Sequence, residues 1–144
     1  MSRLEAWLLH AAALLVGSTG LAYAWMRYLT KPGDEFAVVN HAWQPAMQHA
    51  HVVVAPLLVF ALGMIWKQHV AAGMRGGKPE RRRSGLVLLG ALVPMVLPGY
   101  FLQVSVDPWW HSLWAQVHLW SSLAWLAAYA VHQLLPRSSK NGRS

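Results

Sequence analysis

The chain contains no cysteine. That absence removes disulfide bridges, thiolate metal centres, iron–sulfur clusters and the covalent attachment of c-type haem from consideration. Charge is scarce as well. Of 144 residues only 12% are Asp, Glu, Lys or Arg, only five are acidic, and 56% are hydrophobic. Such a balance starves a soluble surface and suits one that faces lipid. There is no nucleophile–base pair, no carboxylate dyad and no phosphate-binding glycine loop, so ordinary catalysis lacks its parts. Nor does the length leave room for a separate soluble domain beside four membrane spans of about 20 residues each.

What is present is long apolar sequence. Four stretches, 4–26, 46–68, 84–103 and 112–135, are long and apolar enough to cross a bilayer, and their cores carry no charged residue. They predict an all-α integral membrane four-helix bundle, a single domain covering residues 1–144. The first stretch runs well past signal-peptide length without a convincing cleavage site and is expected to be a retained helix.

An even number of spans puts both termini and the loop between the second and third helices on one side. That side collects Arg3, Lys67, Arg75, Lys78, Arg81, Arg82, Arg83, Arg137, Lys140 and Arg143, ten of the twelve basic residues, and leaves Arg27 and Lys31 opposite. The positive-inside rule makes both termini cytoplasmic. The net charge of +7 then needs no nucleic acid. The run Arg81-Arg82-Arg83 reads as a topology signal beside anionic lipid.

On the outer side, residues 30–45 carry Pro32, Gly33, Asp34, Glu35 and Pro45, which separate the first two helices. The second outer loop is expected at Asp107-Pro108-Trp109-Trp110, with Trp114 one turn into the fourth helix; tryptophans at that depth anchor the interface. Pro94 and Pro98 are expected to kink or loosen the third helix. No internal repeat is evident, and the polar tail after Pro136 reads as disordered.

The chemistry lies in the histidines. There are eight: His10, His41, His49, His51, His69, His111, His118 and His132. His41 and His111 fall in outer loops or at a helix edge and read as solvated. The others lie within the spans or at their ends, where an ionisable side chain is costly and marks function by default. His118 and His132 are fourteen residues apart on the fourth helix. They therefore share a face within about 40° and are separated by about 21 Å along the axis, one site near each membrane surface. Imidazole is a good axial ligand for haem iron, and two imidazoles on one iron favour electron transfer over oxygen binding.

Each site needs a second histidine at matching depth. On the inner side the preferred partner of His132 is His10. Seven residues beyond His10, Gly17 lies within about 20° of the same face and would let a flat macrocycle approach. His69 is the alternate: eighteen residues from His51, an integral number of helical turns, it is expected on the same face as His51. On the outer side the preferred partner of His118 is His51. His49 is the alternate, but it lies about 160° around the helix from His51, so only one of the two can face the bundle.

A histidine in helix one, one near the outer end of helix two and two spaced by fourteen in helix four, with both termini inside, resembles the bacterial di-haem cytochrome b superfamily. That group includes the membrane subunits of formate dehydrogenase and nickel–iron hydrogenase. The resemblance implies two haem b groups, ligated by His10 with His132 and by His51 with His118. It implies an electron-transfer subunit of the bacterial inner membrane working between quinone, beside the inner haem, and a periplasmic redox protein or c-type cytochrome, as part of a larger complex. Two features depart from the family: the loops are short, with no extension resembling those that grip a catalytic subunit, and Pro56 stands close to His51. A histidine-lined metal cation transporter is the alternative, with His10, His69 and His132 taking copper or zinc. It lacks a membrane-embedded carboxylate or a Met-rich cluster, although Met64, Met74 and Met95 are at hand. A haem-free membrane anchor, with histidines bonding between helices, is the third reading.

Overall fold

Ser2 and Glu5 start the first helix by satisfying each other's backbone. The Glu5 amide donates to Ser2 Oγ at 3.1 Å and the Ser2 amide to Glu5 Oε2 at 2.6 Å, a reciprocal cap that closes two donors the first turn would leave open. Helix α1 (Arg3–Tyr28) follows, burying Leu9, Ala12, Ala13 and Met26. At its far end the Asn40 side-chain amide donates to the Arg27 carbonyl at 2.7 Å, and the Asn40 backbone amide donates to Gln44 Oε1 at 3.2 Å. The loop that follows α1 is thereby folded back over the end of the helix it leaves.

Helix α2 (Gln44–Ile65) starts without a side-chain cap but with Pro45 in its first turn, where a missing N–H costs nothing. Leu58, Ala61 and Ile65 form its buried stripe, and it packs on α1. The helix does not stop near residue 68 as expected. It widens into a π-helical segment, Trp66–Ala71, and continues as α3 (Ala72–Gly76).

Helix α4 (Pro79–Val104) is continuous through Pro94 and Pro98. Helix α5 (Pro108–Leu134) packs against it. Here the boundary differs from expectation, because Pro108, Trp109 and Trp110 belong to the first turn of α5 rather than to the loop. Asp107 Oδ1 accepts the amides of Trp109 and Trp110 at 2.9 and 3.1 Å, and Pro108 occupies the position where proline is pre-organised for a helix.

This computed structural model describes residues 2–76 and 79–134, the side chains of 79–81 excepted. Lys78, Arg137, Lys140, Arg143, Leu135, the tail after Pro136 and the side chain of Arg81 lie outside the described residues. Every described element is helical, and packing divides the chain into two units, Met1–Ala71 and Ala72–Ser144. The first is the α1–α2 hairpin with its π-helical extension. The second is α3 with the α4–α5 hairpin.

Among the described residues, three helices are long and apolar enough to cross a membrane: Arg3–Tyr28, Gln44–Gly76 taken through the π-helical segment, and Arg82–Val104. Four had been expected. Helix α5 has the length, 27 residues, and no charged side chain. It falls short in apolarity because tryptophan, histidine, glutamine and serine fill so much of it, each with a polar group on the side chain.

Candidate histidine sites

Within the first unit, His51 reaches from α2 to α1. Its Nδ1 lies 3.1 Å from the Val16 carbonyl oxygen and 3.2 Å from Thr19 Oγ1. A carbonyl can only accept, so Nδ1 carries the proton, and in the neutral imidazole the lone pair is on Nε2. Thr19 is compatible with that arrangement, since its hydroxyl donates to the Leu15 carbonyl at 2.7 Å and keeps lone pairs for the imidazole. The ring approaches α1 so closely that a Cβ added at Gly20 would stand 2.8 Å from His51 Cε1. No side chain fits there without moving the ring.

The second unit repeats this plan. His118 Nδ1 on α5 donates to the Met95 carbonyl of α4 at 2.6 Å. A Cβ added at Gly99 would stand 3.1 Å from His118 Cε1 and Nδ1. Val16 precedes Gly20 by four residues, and Met95 precedes Gly99 by four. In both hairpins, then, an imidazole is held by a helix carbonyl and rests on the glycine one turn further along.

Two prolines shape the second of these sites. Pro98 has no N–H, so the Pro94 carbonyl loses its helical donor. The Ser121 hydroxyl, one turn beyond His118, lies 2.8 Å from that oxygen and shares its proton with the Val117 carbonyl at 2.6 Å. The expected loosening of the helix is thus met by a side chain from its partner.

His132 also faces α4, as a spacing of fourteen from His118 requires. It is buried. Its Nδ1 lies 2.7 Å from Ser84 Oγ, and a Cβ at Gly85 would be in ordinary contact with its ring, at 3.9 Å. Nearby on α5, Trp125 is the most buried side chain and stacks on Tyr129 at 5.1 Å.

His10 is half-buried on α1, edge-on to Trp7 with ring centroids 6.4 Å apart. His49 is on the exposed face of α2. His69 lies inside the π-helical segment. The expectation that it shares a face with His51 assumed an unbroken α-helix; the wider i→i+5 turns between them change the register, so the helical-wheel argument no longer holds. His41 is in the loop between α1 and α2, where its Nδ1 accepts the Trp43 amide at 3.1 Å. That is the opposite role from the one Nδ1 plays in His51 and His118. His111 sits in the first turn of α5.

Sequence reasoning found the histidines and missed their holders. Thr19, Gly20, Ser84 and Gly99 went unremarked, and the close approach on α1 is at Gly20, to His51, whereas Gly17 had been singled out for His10. The available signal was a glycine inside an apolar helix, which costs stability unless something must come close.

Around the start of α5 the aromatic rings form a run: Phe101 against Trp114 at 4.9 Å, Trp114 stacked on Trp110 at 5.6 Å, and Trp110 edge-on to Trp109 at 4.6 Å. Trp109 is 64% exposed. The run suits a membrane interface, apolar in body and polar at the indole nitrogens.

Among the described residues, no three His, Asp or Glu side chains gather as a metal-binding group. A bis-histidine haem site needs only two imidazoles and is not addressed by that count. The donor chemistry of His51 and His118 would suit haem: Nδ1 is engaged by the protein, and in the neutral imidazole Nε2 then carries the lone pair that an axial ligand needs. No family model, no characterised protein and no solved structure matches this chain.

Proposed function

We propose that the chain is a di-haem b-type cytochrome of the bacterial inner membrane, crossing it four times with both termini in the cytoplasm. It transfers electrons across the bilayer between quinone and a periplasmic redox protein such as a c-type cytochrome, as the electron-transfer subunit of a larger oxidoreductase rather than a stand-alone enzyme. His10 with His132 and His51 with His118 are its axial ligands, paired by their positions in the sequence.

The observation that supports this reading best is the shared way in which His51 and His118 are held. A histidine that only bonds one helix to another can do so through either nitrogen. Here two histidines in separate hairpins both commit Nδ1 to a carbonyl, which fixes the tautomer and raises the basicity of Nε2. Glycine opposite each ring lets the imidazole sit close against the neighbouring helix. Haem, when bound, supplies the one-electron chemistry. The protein's share is to ligate, orient and bury it.

The test is a visible spectrum and haem quantification on protein purified after haem-replete expression. A sharp reduced-minus-oxidised α-band of the b type with about two haems per chain is the expected result. Haem-free protein under those conditions overturns the proposal.

A further inference from the structure

His118 and His132 sit on one helix, face the same neighbour and engage it through the same ring atom, but the groups they meet differ; ligation through Nε2 keeps the proton on Nδ1, which would make Ser84 Oγ the acceptor for His132. His118 Nδ1 has a backbone carbonyl at 2.6 Å. His132 Nδ1 has a hydroxyl, Ser84 Oγ, at 2.7 Å. His51, in the other hairpin, follows the carbonyl pattern. His132 is thus the exception, and it is the more deeply buried of the two on α5.

The acceptors are chemically unequal. A helix carbonyl is a fixed dipole that only accepts, and it belongs to a chain of hydrogen bonds that polarise one another. A serine hydroxyl rotates, donates as well as accepts, and pulls less strongly on the imidazole proton. The stronger the pull at Nδ1, the more electron density Nε2 offers a metal, and the more the oxidised metal is stabilised.

We propose that Ser84 is the positioning residue that sets the His132 centre apart from the His118 centre, giving the two haems different midpoint potentials with the His132 centre the higher. This rests on the haem-ligating role proposed above. The asymmetry makes an electron more stable at the His132 centre. It requires no charged residue in the membrane, where one would be costly.

The experiment is a redox titration of the haem α-band on the purified full-length protein, as wild type, Ser84→Ala, Ser84→Thr and His132→Ala, with haem content measured on each. Wild type should resolve two midpoints. Ser84→Ala should keep both haems and raise one midpoint only, by up to about tenfold in the reduced-to-oxidised ratio, which is about 59 mV for one electron. Ser84→Thr, which keeps the hydroxyl, should return that midpoint toward wild type. The midpoint that moves should be the one missing from His132→Ala.

Unchanged midpoints in Ser84→Ala, equal movement of both, or movement of the one that survives in His132→Ala would each overturn the proposal while leaving the cytochrome reading intact. Loss of a haem in both Ser84→Ala and Ser84→Thr would make Ser84 structural and overturn it as well. Wild-type protein without haem is a different result, which removes the cytochrome reading itself and the role of Ser84 with it.

Discussion

His51 Nδ1 stands 3.1 Å from the carbonyl oxygen of Val16, and the ring it belongs to occupies the space where Gly20 has no side chain. The pair makes Gly20 the most sensitive small residue of the first hairpin. Gly20→Ala places a methyl 2.8 Å from His51 Cε1, so the imidazole or the helix must move. We expect haem content to fall by about half, with overpacking costing about 1–3 kcal/mol in thermal unfolding of the detergent-solubilised protein. Gly63→Ala, on the same hairpin with nothing within 4 Å, is the control and should leave haem content unchanged without loss of stability. Equal behaviour of the two variants would show that the close approach is unimportant.

The two histidines of the His49-Ala50-His51 segment are separable by the same readout. His51→Ala should reduce haem from about two per chain to about one. His49, exposed on the other side of α2, should be replaceable by alanine without loss. On the inner side, His10→Ala should lose a haem and His69→Ala should not. The reverse result would move the inner ligand into the π-helical segment.

Ser121 and Pro98 should be energetically coupled. With proline at 98 the Pro94 carbonyl depends on the Ser121 hydroxyl, and Ser121→Ala should cost about 0.5–1.5 kcal/mol. Pro98→Ala restores a backbone donor to that carbonyl. In the Pro98→Ala background the serine should therefore matter much less, and a double-mutant cycle on unfolding would measure the difference. Additive effects would refute the link.

Topology reporters check the orientation. A fusion after Leu134 should report a cytoplasmic C-terminus, and one in the outer loop near Asp34 a periplasmic position. Replacing Arg81, Arg82 and Arg83 with neutral residues should weaken this arrangement, since they carry much of the positive-inside bias. A periplasmic C-terminus in the unaltered chain would contradict an even number of spans.

Loss of the Asp107 side chain tests the newly placed start of α5. Asp107→Ala should cost about 1 kcal/mol in thermal stability, as removal of a helix N-cap does, while Asp107→Asn should be close to neutral.

The parts of the fold that depend on periodicity were legible in the sequence. The apolar runs located all four long helices, and a spacing of fourteen placed His118 and His132 toward one neighbour, because an unbroken helix carries angle faithfully along the chain. What escaped were features that depend on a partner. Asp107-Pro108 is a helix start, but the two tryptophans after it have the composition of a loop anchor, and only the Asp107 cap sets them inside the helix. Gly20 and Gly99 differ from other helix glycines only in what lies against them. The acceptors for Nδ1 are mostly backbone carbonyls, which no residue code distinguishes. Helix α5 read as a membrane span by its lack of charge, yet its indoles and imidazoles leave it less apolar than the other three.

The π-helical segment Trp66–Ala71 behaves as a phase shift written into an otherwise regular screw. Within the segment, side chains are turned about the helix axis away from the register that α2 sets, in the same sense that slipping in an extra residue would do. Removing one residue there should let the thread run true again and swing His69 round the helix axis. A single deletion would thus re-aim an imidazole without changing its identity, a change of direction that no point substitution offers.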